Sequence, residues 1–197
     1  MSVRYAARSR PGTMVSTWLN GLVSGTVIPP GWTALQSSTL GSDTATVTFT
    51  SAGSAQPWSL FQDLVVIQYC QSDTEAHSRI QFNNDTASNY ELQEFYSDGS
   101  NDYAYAYATA YIFCGYIPRV ADGANVFGGN ITHIFDINSG KYTSTLSQFA
   151  ADFDGSGYVG LTACTWEAVA AVTELDIYPH TGDFKTGSMF SLFGVAA

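Results

Sequence analysis

Asp152-Phe-Asp-Gly-Ser-Gly157 places oxygen ligands at positions 1, 3 and 5 and a glycine at position 6, the opening of a calcium-binding loop. The bidentate Glu required at position 12 is absent, since Ala163 stands there, and no helical pattern flanks the stretch. It reads as an acidic hairpin. His77, His133 and His180 are isolated along the chain, with no i,i+2 or i,i+4 pairing, so their spacing supports no ligand set. Glu91 with Glu94, and Asp152 with Asp154, are carboxylate pairs of the kind glycosidases use. In a chain with seventeen acidic residues they read as solvated faces. Neither a G-x-S-x-G elbow nor a phosphate-binding glycine loop is present. The expectation is a protein that is not an enzyme, with no catalytic residue, no metal site and no cofactor.

Cys70, Cys114 and Cys164 are odd in number, far apart and without C-x-x-C spacing. They read as buried reduced thiols in strands of a protein folded in a reducing compartment. No transmembrane run is present, and Asn20, Gly21, Ser24 and Gly25 interrupt the one stretch that resembles a signal-peptide core.

The elements that must position these residues are strands. Only 12% of the chain is charged, about half the usual share, and Thr, Ser, Tyr, Phe and Val replace the common helix formers. Thr44-Ala-Thr-Val-Thr-Phe-Thr50 alternates cleanly, and Trp58 to Cys70 is apolar enough for a central strand. Further strands are expected at Trp32–Gln36, before Phe82, at Tyr90–Tyr96, Asn101–Ile117, Asn130–Ile137, Lys141–Leu146, Tyr158–Trp166, Val172–Tyr178 and Gly187–Val195. Asn83-Asn84-Asp85-Thr86 is a shaped turn between two of them. Nine or ten strands at such spacing predict an all-β fold, an antiparallel β-sandwich of jelly-roll type over residues 31–197.

In Asn101–Ile117, Tyr103, Tyr105, Tyr107, Tyr111 and Phe113 share one face, and Ala104, Ala106, Ala108, Ala110 and Cys114 the other. The small residues let another layer approach closely. The tyrosines suit core packing, a subunit contact or a platform for sugar rings.

Residues 1–30 differ from the rest and read as an extended N-terminal arm. Arg4, Arg8 and Arg10 lie in the first ten residues, and no acid occurs before Asp43. Val15, Trp18, Leu19 and Leu22 are spaced for two turns of an amphipathic helix, made marginal by Gly21 and Gly25. The segment reads either as a strap over the chain's own core or as an arm that docks on another subunit. The remaining 187 residues carry four basic side chains against seventeen acidic ones, a balance that repels nucleic acid phosphates. The basic arm is better matched to an acidic protein surface.

Several stretches, in order, resemble a family of tailed-bacteriophage virion structural proteins with a jelly-roll or β-sandwich domain. They include Pro30-Gly-Trp-Thr-Ala-Leu-Gln-Ser-Ser-Thr-Leu40, Phe61-Gln-Asp-Leu-Val-Val66, Ile80-Gln-Phe-Asn-Asn-Asp85 with Ser88-Asn-Tyr90, Trp166-Glu-Ala-Val-Ala-Ala-Val172 and Ser188-Met-Phe-Ser-Leu-Phe-Gly194. Asn84 and Ala87 stand where that family often has glycine, and Phe193 where it has tyrosine. The resemblance implies a virion component, assembled in the host cytoplasm; as a decoration protein it is expected as a homo-oligomer, a homotrimer whose copies around a three-fold add avidity. The expected function is a capsid decoration or cement protein bound to the major capsid protein or another virion subunit. Arg4, Arg8, Arg10, Val15, Trp18 and Leu19 are the expected arm contacts, and Tyr103, Tyr105 and Tyr107 a candidate subunit contact. The alternative is a tail fibre, spike or baseplate component with a receptor- or glycan-binding sandwich. Nucleic acid and membrane partners are not expected.

Overall fold

Period-two alternation of inward and outward side chains organises most of the chain in this computed structural model, which describes residues 31–74 and 76–196. Twelve strands lie among the described residues. They are β1 (Trp32–Thr39), β2 (Val47–Thr50), β3 (Asp63–Cys70), β4 (Ala76–Phe82), β5 (Tyr90–Ser97), β6 (Asp102–Thr109), β7 (Ile112–Ile117), β8 (Gly128–Phe135), β9 (Thr143–Asp152), β10 (Gly157–Trp166), β11 (Glu174–Pro179) and β12 (Met189–Val195). The only helical pieces described are three 3-10 turns, at Ser51–Gly53, Trp58–Leu60 and Val120–Asp122.

The strands form two antiparallel sheets packed as a sandwich. The larger has the order β1-β12-β3-β8-β9-β10-β5-β6, and the smaller the order β2-β11-β4-β7. From β1 to β4 the chain alternates between the sheets at every step. The alternation resumes at β7, with the hairpins β5–β6 and β9–β10 added to the larger sheet. The result is an all-β antiparallel sandwich, widened on one side by the two hairpins.

One buried cluster joins the layers. Phe49, Ile80, Phe82, Ile112, Leu175 and Ile177 of the smaller sheet share it with Leu64, Val66, Ile134, Phe190 and Leu192 of the larger. The edge strand β7 lies over β9 and β10. Close approach there depends on Gly115, whose φ is 129° and where an added Cβ would sit 2.2 Å from Phe149. No other residue type tolerates that backbone and that contact together.

The polar turn after β4 is a clasp. Asn83 and Asn84 adopt left-handed φ values of 52° and 58°, which Asn tolerates better than most residues. The turn grips the segment that follows β10. Asn83 Oδ1 accepts from the backbone N–H of Thr173 (2.9 Å) and Glu174 (3.1 Å), and Asn83 Nδ2 donates to the Ala171 carbonyl at 2.9 Å. Asp85 accepts from the Trp166 indole at 2.7 Å and from the Asn89 amide at 3.0 Å. Two of the stretches that carry the phage resemblance therefore meet in space, and what they make together is a joint.

Two expectations need correction. Trp58 to Cys70 is a strand only from Asp63, after the 3-10 turn Trp58–Leu60. Asn101–Ile117 is two strands in different sheets, β6 and β7, separated by a bend at Ala110-Tyr111. Gln81 Nε2 donates to the Ala110 carbonyl at 2.8 Å, and the Arg79 guanidinium lies 3.7 Å over the Tyr111 ring. These contacts draw the chain across to the smaller sheet. Tyr111 and Phe113 thus leave the face that Tyr103, Tyr105 and Tyr107 occupy.

Candidate interaction surface

The larger sheet has eight strands and the smaller only four, so much of the larger sheet depends on its own two faces. On β8, β9 and β10 both faces are mixed: Ile134, Phe149, Cys164 and Trp166 point into the core, but so do several polar side chains, and several aliphatic ones point out. The side chains pointing into the sandwich include Asn130, Thr132, Thr143, Thr145, Ser147 and Thr162, all buried. Some of these are paired: Thr132 and Ser147 share a hydroxyl hydrogen bond at 2.9 Å, and Thr162 donates to the Phe113 carbonyl at 2.7 Å. The side chains pointing out include Ile131, Leu146, Val159 and Leu161.

Register assembles the outward residues into rows. Ile67, Ile131, Gln148, Leu161, Phe95 and Ala104 lie side by side across six strands. The neighbouring row is Tyr69, Gly129, Ala150, Val159, Ser97 and, at the border, Asp102. Asp102 is the sole charged side chain in either row. Tyr69, Phe95, Ile131, Leu146, Val159 and Leu161 are each between 38% and 60% exposed, which is far from the usual state of such residues. All of these but Leu146 border a shallow depression of about 780 Å³ between the strands. A contiguous apolar area of this kind marks an interaction surface. The one carboxylate that lines the depression is Asp102, at its border.

The tyrosine strand closes this surface on one side. β6 is the last strand of the larger sheet, and its Ala104 and Ala106 lie flush with Phe95 and Gln93 on the outward face. Tyr103, Tyr105 and Tyr107 point to the other face. There Tyr103 stacks on Tyr96 at 4.9 Å and donates to Asp98 at 3.0 Å, while Tyr105 (48%) and Tyr107 (37%) remain exposed. The close layer expected against the alanines is not formed by the described residues. The arm residues Arg4, Arg8, Arg10, Val15, Trp18 and Leu19, like the rest of 1–30, lie outside the described residues.

The remaining candidates are structural. Glu91 is exposed and Glu94 buried on opposite faces of β5, so they do not converge. Burial of the Glu94 carboxyl raises its pKa, and its Oε2 has no hydrogen-bond partner. Asp152 Oδ1 accepts from the Asp154 N–H at 2.9 Å and shapes the β9–β10 turn, as an acidic hairpin should. His77 and His180, isolated in sequence, stack in parallel with centroids 4.8 Å apart. Burial, then the Arg79 charge and His180, push the His77 pKa down to about 3, so it is a neutral packing group. His133 instead pairs with Asp63 at 3.0 Å. Among the described residues no three His, Cys, Asp or Glu side chains are grouped to hold a metal. The three cysteines are free and buried, as their spacing predicts.

The apolar rows leave a signal in the sequence. In β9 the alternation Thr-Ser-Thr-Leu-Ser-Gln-Phe-Ala places Leu146 opposite in phase to Phe149, so one of them must face outward. No protein-family model matches this chain, and no protein of curated function matches it.

Proposed function

We propose that this chain is a non-enzymatic structural subunit of a virion, a capsid decoration protein that binds the major capsid protein or another virion subunit and stabilises the head. The observation that carries the proposal is the contiguous apolar area on the outward face of the larger sheet, formed by Phe95, Ile131, Val159 and Leu161. Folding alone gives no reason to spend Ile131, Leu146, Val159 and Leu161 on the outside. Burial against a partner does: full burial of such a side chain contributes about 1.5–3 kcal/mol, and with 38–60% of each still exposed roughly half of that is left to gain. The phage assignment rests on the resemblance of the motif stretches. In this reading the arm, residues 1–30, adds a second contact through Arg4, Arg8, Arg10, Val15, Trp18 and Leu19.

Particle-binding assays with undecorated phage heads test it. Phe95→Glu combined with Leu161→Glu should abolish binding while leaving far-UV circular dichroism unchanged. Deletion of residues 1–30 should leave a folded body with much weakened binding. Full occupancy by both variants would overturn the proposal.

A further inference from the structure

A sheet edge is a row of unpaired N–H and C=O groups, and soluble proteins blunt or cover such edges. Three of the four edges of this sandwich are managed. β1 carries a register break between Ala34 and Gln36, and its Leu35 carbonyl accepts from the Ala55 N–H at 3.0 Å. β2 is only four residues long. β7 is covered by the larger sheet, whose Thr162 hydroxyl takes the Phe113 carbonyl.

β6 has none of these devices. Its eight residues pair with β5 in unbroken register from Asp102 to Thr109, without a bulge. Asp-Tyr-Ala-Tyr-Ala-Tyr-Ala-Thr contains no proline and no lysine, and its one charge is at the end. Among the described residues no backbone hydrogen bond reaches its other side.

We infer that β6 pairs with β6 of a second copy of this chain, antiparallel about a two-fold axis, making one sheet continuous through both molecules. This goes beyond the decoration role, because it concerns the edge of the sheet and not its outward face. It also assigns a two-fold contact where the decoration role carries the expectation of a homotrimer.

Three features select this occupant and orientation. An axis perpendicular to the sheet keeps each face on its own side, so residues of like parity must oppose each other. Centred on Tyr105, the pairing sets Tyr103 opposite Tyr107 of the other copy and Ala104 opposite Ala106, aromatic on aromatic and small on small. Antiparallel pairing also parts the two Asp102 carboxylates by about 20 Å along the strands, beyond the screening length, where parallel pairing would place them side by side. Finally, Ala104 and Ala106 continue the apolar rows across the seam without a step.

Sedimentation equilibrium of the full chain, with cysteine cross-linking, tests the inference. The expected result is a species of twice the 21.2 kDa chain mass, converted to monomer by Tyr105→Lys with unchanged circular dichroism. Tyr105→Cys, which keeps the edge intact, should give a covalent dimer on mild oxidation, because the three native thiols are buried. A wild-type monomer at every concentration overturns the inference. So does a dimer that survives Tyr105→Lys but is lost in Leu161→Glu, since that places the contact on the outward face.

Discussion

The Asp85 carboxylate accepts the indole N–H of Trp166 at 2.7 Å across 81 residues of chain. The bond ties the turn after β4 to the end of β10, so it holds a crossing between the sheets to the hairpin that widens the larger one. Tyr90, buried beside it, accepts from the Phe82 N–H at 3.0 Å and completes the joint.

Asp85→Ala should lower stability by about 2 kcal/mol, because a charge-assisted bond is lost and the Trp166 indole is left without its acceptor. Urea unfolding followed by tryptophan fluorescence measures this. Burial pulls the Asp85 carboxyl upward, but the bonds from Asn89, Trp166 and Ala87 outweigh it and hold its pKa below the ordinary aspartate value. A carboxyl with a depressed folded pKa contributes stability above its unfolded pKa and loses it as pH falls through the folded one. The wild type should therefore lose part of its stability below about pH 4, and Asp85→Asn should show a flatter acid limb. Parallel acid limbs in the two proteins would count against this.

Glu94 has the opposite sign. Burial raises its pKa, so ionisation at neutral pH opposes folding, and the folded state binds its proton more tightly than the unfolded one. Glu94→Gln should stabilise the protein at pH 7 by about 1 kcal/mol. The advantage should shrink as pH falls below the raised pKa and Glu94 itself becomes neutral. Thermal melts of both proteins across pH 4 to 8, in roughly unit steps, give the comparison, and a gap that widens toward acid would refute it.

The thiols provide a measure of core integrity. Burial pushes the Cys114 and Cys164 thiols up to about 12 and Cys70 higher still, so none is a thiolate at neutral pH. A thiol-reactive chromophore should label none of the three in the native protein and all three after unfolding. Rapid labelling of the native chain would show that the sheets open.

Much of the fold is legible in local pattern. Period-two alternation marks Tyr90–Tyr96 as a strand, and the structure extends it by one residue to Ser97. The asparagine-rich turn after Phe82 is visible because left-handed backbone has few tolerant residue types. The break between β6 and β7 is not visible, for the Tyr/Ala alternation runs through Ala110-Tyr111 without glycine or proline. Partners 29 and 32 residues away, Gln81 and Arg79, turn the chain there.

The interaction surface follows the same division. Residue types and period two dictate that Ile131, Leu146, Val159 and Leu161 alternate with Asn130, Thr145, Ser147 and Thr162, and this much is local stereochemistry. Which of the two sets faces water depends on where the smaller sheet settles. That is decided by the contact of Gly115 with Phe149 and by the bond from Thr162 to Phe113, between strands far apart in the chain. Such packing takes the polar set inside together with Ile134, Phe149 and Trp166 and leaves Ile131, Leu146, Val159 and Leu161 outside, a choice no single strand can express.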